Sequence, residues 1–113
     1  QEADVLFEGA HVPKKVYVLT DMYCTGAGES FVALAKKSPK VTVVGRPTRG
    51  TMATFNVVAA NFGDIALCYP VSIMDENSVF ATNEGLQPDI YVPWTPAHLI
   101  EDRDIQFVLN AIK

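Results

Sequence analysis

Residues 15–20 (Lys-Val-Tyr-Val-Leu-Thr) form a nearly unbroken apolar run with β-branched and aromatic content, the pattern of a strand buried on both faces. A loop of small residues over 24–28 follows. Residues 29–38 then place Phe31, Leu34 and Ala35 at i, i+3 and i+4, one apolar helix face, stopped by Pro39. Residues 41–44 are another β-branched run and close on Gly45. The unit therefore reads strand, helix, strand, and is expected to be parallel with a right-handed crossover.

The second half is patterned differently. Residues 54–60 and 65–69 are strand-like and flank Asn61-Phe62-Gly63-Asp64, a hairpin connection with Gly and Asp where positive φ is needed. Residues 71–74 and 79–82 flank Asp75-Glu76-Asn77-Ser78 in the same way, and 89–92 read as a last short strand. Ile105, Val108, Leu109 and Ile112 stand at i, i+3, i+4 and i+7, which predicts a closing helix with Asp102 or Asp104 to cap it. Residues 1–14 read as an irregular lead-in. The expected fold class is α/β: one parallel strand-helix-strand unit, antiparallel hairpins, and a C-terminal helix.

Composition narrows the functional classes. At 113 residues and 49% hydrophobic, the chain suits one globular domain or a piece of one, and the excess of Val over Leu leans it toward strands. A net charge of -4, with nine scattered Lys and Arg, argues against nucleic acid. The pairs Lys14-Lys15 and Lys36-Lys37 read as solvated ends of elements. No apolar stretch approaches the roughly 20 residues of a membrane span. Cys24 and Cys68 permit one disulfide without demanding it, and their surroundings suit buried free thiols equally. With only His11 and His98 besides, no ligand pair has metal-site spacing, and neither metal nor cofactor is expected. The chain opens on Gln1-Glu2-Ala3-Asp4, without an initiator Met or a leader pattern, so a piece of a longer protein is expected.

Two loops could carry chemistry. Gly26-Ala27-Gly28 lies between a strand and the first turn of a helix, where open α/β sheets place ligands and where unpaired backbone N–H groups suit an anion or an oxyanion. A plain tight turn needing small residues fits the same three positions. The second loop, Gly45-Arg46-Pro47-Thr48-Arg49-Gly50-Thr51, follows the next strand and so lies on the same sheet edge. It is not a nucleotide-binding P-loop, because Thr51 and Met52 stand where Lys and Ser or Thr belong.

Four ordered blocks carry a resemblance: Val16-Tyr17-Val18-Leu19-Thr20-Asp21, Cys24-Thr25-Gly26-Ala27-Gly28-Glu29-Ser30-Phe31, Val43-Val44-Gly45-Arg46-Pro47-Thr48-Arg49-Gly50, and Gly85-Leu86-Gln87-Pro88-Asp89-Ile90. In this order they resemble the C-terminal processing, or tail-specific, serine peptidases, over nearly the whole chain from Val16. The resemblance implies a ClpP/crotonase-like fold and hydrolysis of peptide bonds in unstructured or C-terminal segments, in an extracytoplasmic setting, periplasmic or secreted. It also implies that the chain is the C-terminal part of the catalytic domain. The PDZ module and the first half of the domain would then lie outside it, and pairing is expected either with another copy or with that missing half.

In that family the nucleophilic serine opens a Ser-x-x-Glu motif at the helix start, and a general-base lysine follows the Thr-x-Gly of the second loop. By resemblance the glutamate is Glu29, the nucleophile position is Gly26 and the base position is Thr51. Glycine has no side chain to attack with, and a threonine hydroxyl is no base near neutral pH. Ala27 and Gly28 remain candidate oxyanion donors through their N–H groups. Cys24, Thr25 and Ser30 are the conceivable substitute nucleophiles, with no Lys or His obviously placed to activate them. Glu29 is expected to serve the helix start rather than catalysis, His11 and His98 to lie at the surface, and Trp94 to cover a core edge. The expectation is a peptidase-family chain without activity of its own; the alternative is a non-catalytic relative that binds peptides or apolar ligands.

Overall fold

Val43 and Val44, fully buried, mark the centre of the molecule. The structure, a computed structural model, describes residues 12–81 and 83–113. His11, Thr82 and most of the expected lead-in lie outside the described residues.

Three parallel strands form the main sheet: β1 (Val16–Thr20), β2 (Val41–Gly45) and β5 (Ile90–Tyr91), in the order β1-β2-β5. Helix α1 (Ala27–Ala35) connects β1 to β2, so the strand-helix-strand unit is present, and β1 pairs with β2 from Val16↔Val41 to Thr20↔Gly45. Strand β1, an edge of the described sheet, is only partly buried, with Leu19 39% exposed, not buried on both faces as its apolar run predicts. The doubly covered strand is β2. Short as it is, β5 is tied in by Asp89, whose N–H donates to the Val43 carbonyl and whose Oδ2 accepts from Val43 N, each at 2.8 Å. Lys36 reaches the same residue, its Nζ 2.6 Å from Asp89 Oδ1 and 2.9 Å from the Gln87 carbonyl. Lys36 and Lys37 are exposed at the end of α1, as expected of a solvated end, and Lys36 in addition clasps that end to the approach to β5.

The rotation of α1 departs from expectation. Glu29 and Val32 face inward, while Phe31 and Leu34 are 61% and 64% exposed. At about 100° per residue, turning Glu29 inward carries Phe31 about 200° and Leu34 about 140° away from it. The hydrogen bonds drawn to Glu29 outweigh the apolar stripe.

The antiparallel hairpin is β3 (Thr54–Phe62) and β4 (Ile65–Ile73), joined by the two-residue turn Gly63-Asp64 with Gly63 at φ 64°. The ladder skips Asn56 and Val71. Asn56 adopts φ 56°, and its side-chain amide donates to Ser72 Oγ at 2.9 Å. Strand β4 continues through Pro70, which an outer edge without a partner among the described residues tolerates. This continuation takes up residues 71–73, so the second hairpin expected over 71–74 and 79–82 does not form. Instead the chain curls through consecutive turns, with Ser78 N donating to Asp75 O and Ala81 N to Ser78 O.

A 3-10 turn at Pro96–Leu99 leads to α2 (Arg103–Ala111), capped by Asp102, whose Oδ1 accepts from Ile105 N at 3.0 Å. Ile105, Val108 and Leu109 turn toward Tyr17 and Leu19 of β1. Asp104 is not the cap. It pairs bidentately with Arg46, at 3.0 Å (Nη1–Oδ1) and 2.6 Å (Nη2–Oδ2), and pins α2 to the loop after β2. Both cysteines are free thiols; Cys68 is exposed on β4, not buried. No helix among the described residues is long and apolar enough to cross a membrane.

Candidate functional site

Strand β1 ends in a tight turn. Asp21 Oδ1 accepts from Tyr23 N at 2.9 Å and Asp21 O from Cys24 N at 3.0 Å, which folds the chain back toward the start of α1. Gly26 is the N-cap, at φ 54° and ψ -117°. This is the sharp strand-to-helix elbow that lifts a side chain clear of the backbone. A Cβ built on Gly26 would have no heavy atom within 4 Å. The position has open space in front of it, at a positive φ that is strained for any residue but glycine.

The loop after β2 is fastened to this turn. Arg46 N donates to Thr20 O at 2.8 Å, Thr20 Oγ1 donates to Arg46 O at 2.8 Å, and Arg49 N donates to Cys24 O at 2.9 Å. A Cβ at Gly45 would collide with the Thr20 carbonyl, so only glycine lets the two loops close so tightly. Thr51 consequently arrives beside the elbow, its Oγ1 accepting from Gly26 N at 3.1 Å. The two positions set apart by resemblance, 25 residues distant in sequence, are hydrogen-bonded neighbours.

Glu29 organises the corner and is 1% exposed. Its Oε1 accepts from Thr48 Oγ1 and Gly50 N, both at 2.7 Å. Its Oε2 accepts from Thr51 Oγ1 at 2.7 Å, Thr51 N at 2.9 Å and Gly26 N at 3.2 Å. The last is the returning half of a capping box whose forward half a glycine cannot make. Thr48 Oγ1 in turn accepts from Leu86 N at 2.8 Å, which draws in the loop before β5. Burial pushes the Glu29 carboxyl up, but the two threonine hydroxyls and the Gly50 and Thr51 amides outweigh it and hold the group below the ordinary glutamate range. It is a structural anion, satisfied by donors and lacking a cationic partner among them.

The candidate oxyanion donors differ. Gly28 N–H is already engaged by Thr25 O at 3.0 Å, whereas Ala27, the residue directly after the elbow, stands at the first helical position. Among the substitute nucleophiles, Cys24 is half-buried, and burial together with the negative charges of Glu29 and Asp21 raises its pKa, keeping it a thiol. Thr25 is exposed and Ser30 half-buried on the first turn of α1.

A second cluster escaped the sequence reading. His98 is tucked in, not at the surface, its side chain 10% exposed. Its Nδ1 accepts from Thr95 N at 3.0 Å, its Nε2 lies 3.5 Å from Asp104 Oδ1, and Trp94 stacks on its ring at 6.2 Å between centroids. Trp94 thus lies against His98 and stays 54% exposed. Asp104 is pushed up by burial and pulled down further by Arg46 and His98, so it stays ionised. With Tyr23, Arg46, Asp21, Glu101 and Asp102 these residues line an open cleft of about 760 Å³. Nothing in the sequence links Arg46, His98 and Asp104; only the fold brings them together. Among the described residues no group of three or more His, Cys, Asp or Glu is placed to hold a metal ion.

Comparison with known proteins supplies the remaining findings. The sequence model of peptidase family S41 matches residues 2–92. A search of curated proteins gave no match. Among solved structures, the crystal structure of a "putative peptidase" from Parabacteroides merdae ATCC 43184 is similar, with TM-score 0.58 and 20% sequence identity. The similarity covers 87% of this chain and 31% of that one, so the protein spans about a third of its neighbour's length. At that identity the likeness is one of fold.

Proposed function

Because the family match spans residues 2–92 of 113, the protein belongs to peptidase family S41, and we propose that it is the C-terminal part of a tail-specific catalytic domain that holds peptides without cleaving them. One observation carries this reading. Gly26 keeps the elbow geometry of a nucleophile and touches Thr51, yet neither position bears a group able to attack or to take a proton.

A serine hydroxyl attacks only when a neighbouring base removes its proton, and a lysine serves as that base only where desolvation lowers its pKa. Loss of either side chain ends the reaction, and their joint absence from two touching positions fits a corner released from it. What remains is suited to binding. The Ala27 N–H points from a helix start and can hold a peptide carbonyl. The cleft lined by Tyr23, Trp94, Leu99 and Ile100 together with Arg46, His98 and the carboxylates of Asp21, Glu101, Asp102 and Asp104 can take a side chain of an unstructured segment. The same reading places the protein outside the cytoplasm and sets the PDZ module and the first half of the catalytic domain outside this chain.

Incubation with an unstructured peptide ending in apolar residues tests the proposal, alongside the double variant Gly26→Ser, Thr51→Lys. Fluorescence anisotropy should register binding by both proteins, and chromatography should find cut peptide only with the variant. Cleavage by the unaltered protein sinks the non-cleaving reading. A variant that folds and stays inert sinks the assignment of positions 26 and 51.

A further inference from the structure

The 3-10 turn at Pro96–Leu99 is closed at its start by a histidine, where a capping box ordinarily uses Glu or Gln. Thr95 is the N-cap. His98, the third residue of the turn, reaches back so that its Nδ1 accepts from Thr95 N at 3.0 Å. A neutral imidazole has one nitrogen that donates and one that accepts. With Nδ1 accepting, the proton of the neutral ring belongs on Nε2, which lies 3.5 Å from Asp104 Oδ1.

The same Nδ1 also lies 3.0 Å from the Thr95 carbonyl oxygen and 3.2 Å from Thr95 Oγ1. That carbonyl already accepts from His98 N at 2.9 Å, and its second lone pair is still available. Partners for both charge states of the ring therefore surround one atom. Thr95 N–H suits the neutral ring, and Thr95 O suits the imidazolium.

We propose that His98 is a proton-operated switch in the wall of the cleft. Uncharged, it clamps the start of the turn by accepting from Thr95 N–H; charged, it reverses that bond, donating from Nδ1 to Thr95 O and from Nε2 to Asp104. The groups around the ring set the sense. Asp104 of α2 is nearest, and Asp21 from the turn after β1 lines the same cleft with Glu101 and Asp102 from the approach to α2. Arg46 from the loop after β2 and Arg103 of α2 oppose them, and Tyr23 is the other titratable group in the cleft. Four carboxylates against two guanidiniums favour the imidazolium. Histidine changes charge between about pH 5 and about pH 8, so acidification over that range adds one positive charge to the cleft. It also hands Thr95 N–H to solvent, which the exposed position of Thr95 permits. The turn leads into Leu99 and Ile100, 80% and 89% exposed, so the apolar rim of the cleft loosens with the clamp. The switch concerns the wall alone and stands whether or not peptides bind there.

Nitrogen NMR of the isotope-labelled full chain tests it. At about pH 8 the His98 ring should carry its proton on Nε2, and between about pH 8 and about pH 5 the Thr95 amide proton should move upfield along the same curve as the ring nitrogens. His98→Gln keeps an acceptor at the clamp and has nothing to titrate, so Thr95 should hold its high-pH position throughout. A neutral ring protonated on Nδ1 overturns the proposal, as does a Thr95 amide that stays still while the ring titrates, or a ring that does not titrate in this range. These readings need only the unaltered chain, so the outcome does not depend on the variant folding. A Thr95 shift that persists in His98→Gln belongs to another group and overturns the proposal equally.

Discussion

Replacing Glu29 by Gln keeps the shape of the side chain and removes what the corner is built around. The carboxylate accepts five hydrogen bonds on two oxygens, and every partner is a donor. An amide offers one oxygen and one NH2 group, so whichever way it is flipped, at least Gly50 N–H on one side or Thr51 N–H on the other meets a second donor. Each buried donor left unmatched costs about 1–3 kcal/mol, and charge-assisted bonds are about twice as strong as neutral ones. Allowing for local relaxation, Glu29→Gln should destabilise by roughly 2–4 kcal/mol, a large share of the 5–15 kcal/mol of an ordinary domain. At about 4 °C per kcal/mol for this size, Tm should fall by roughly 8–16 °C. The pH dependence carries a second signature. A carboxyl whose folded pKa is depressed contributes fully above the ordinary value near 4.5 and loses that contribution as pH falls through its folded pKa. The unaltered protein should therefore lose stability below about pH 4.5 more steeply than the Gln variant. A Tm within about 2 °C of the parent, with matching acid limbs in urea titrations, would refute the reasoning.

Two other outcomes follow from local geometry. Gly85 and Gly63 have similar positive φ, 73° and 64°, but a Cβ at Gly85 would strike the Thr48 carbonyl while one at Gly63 meets open space. Gly63→Ala should cost only the left-handed backbone term, about 1–2 kcal/mol, and Gly85→Ala clearly more; equal losses in chemical denaturation would discredit the tight loop packing. Cys24, held as a thiol by burial and by the Glu29 and Asp21 charges, should react with iodoacetamide at pH 8 several-fold more slowly than glutathione, and mass spectrometry finding the reverse would contradict that environment.

Local pattern carried the fold as far as local forces decide it. The β-branched run of β2, the hairpin connection and the apolar face of α2 depend on neighbours in sequence and were legible, though the connection expected over 61–64 narrows to Gly63-Asp64 because β3 runs on through Asn61 and Phe62. The rotation of α1 was not, because the donors that turn Glu29 inward lie 19 to 22 residues further on. Residues 79–82 have strand composition, but β4 had already absorbed their intended partner. His98 read as a surface residue because Asp104 and Arg46 reach it only through the fold. Positions 26 and 51 were identified by resemblance; their hydrogen-bonded contact is a fact of the structure alone.

The crowding of donors around Glu29 separates what keeps this corner folded from what would let it react. The carboxylate fixes both loops through backbone amides and the Thr48 and Thr51 hydroxyls, and asks nothing of a side chain at 26. Chemistry at this address is thereby detachable. Under the proposed reading, reacting groups at 26 and 51 can be absent while the scaffold around them stays folded.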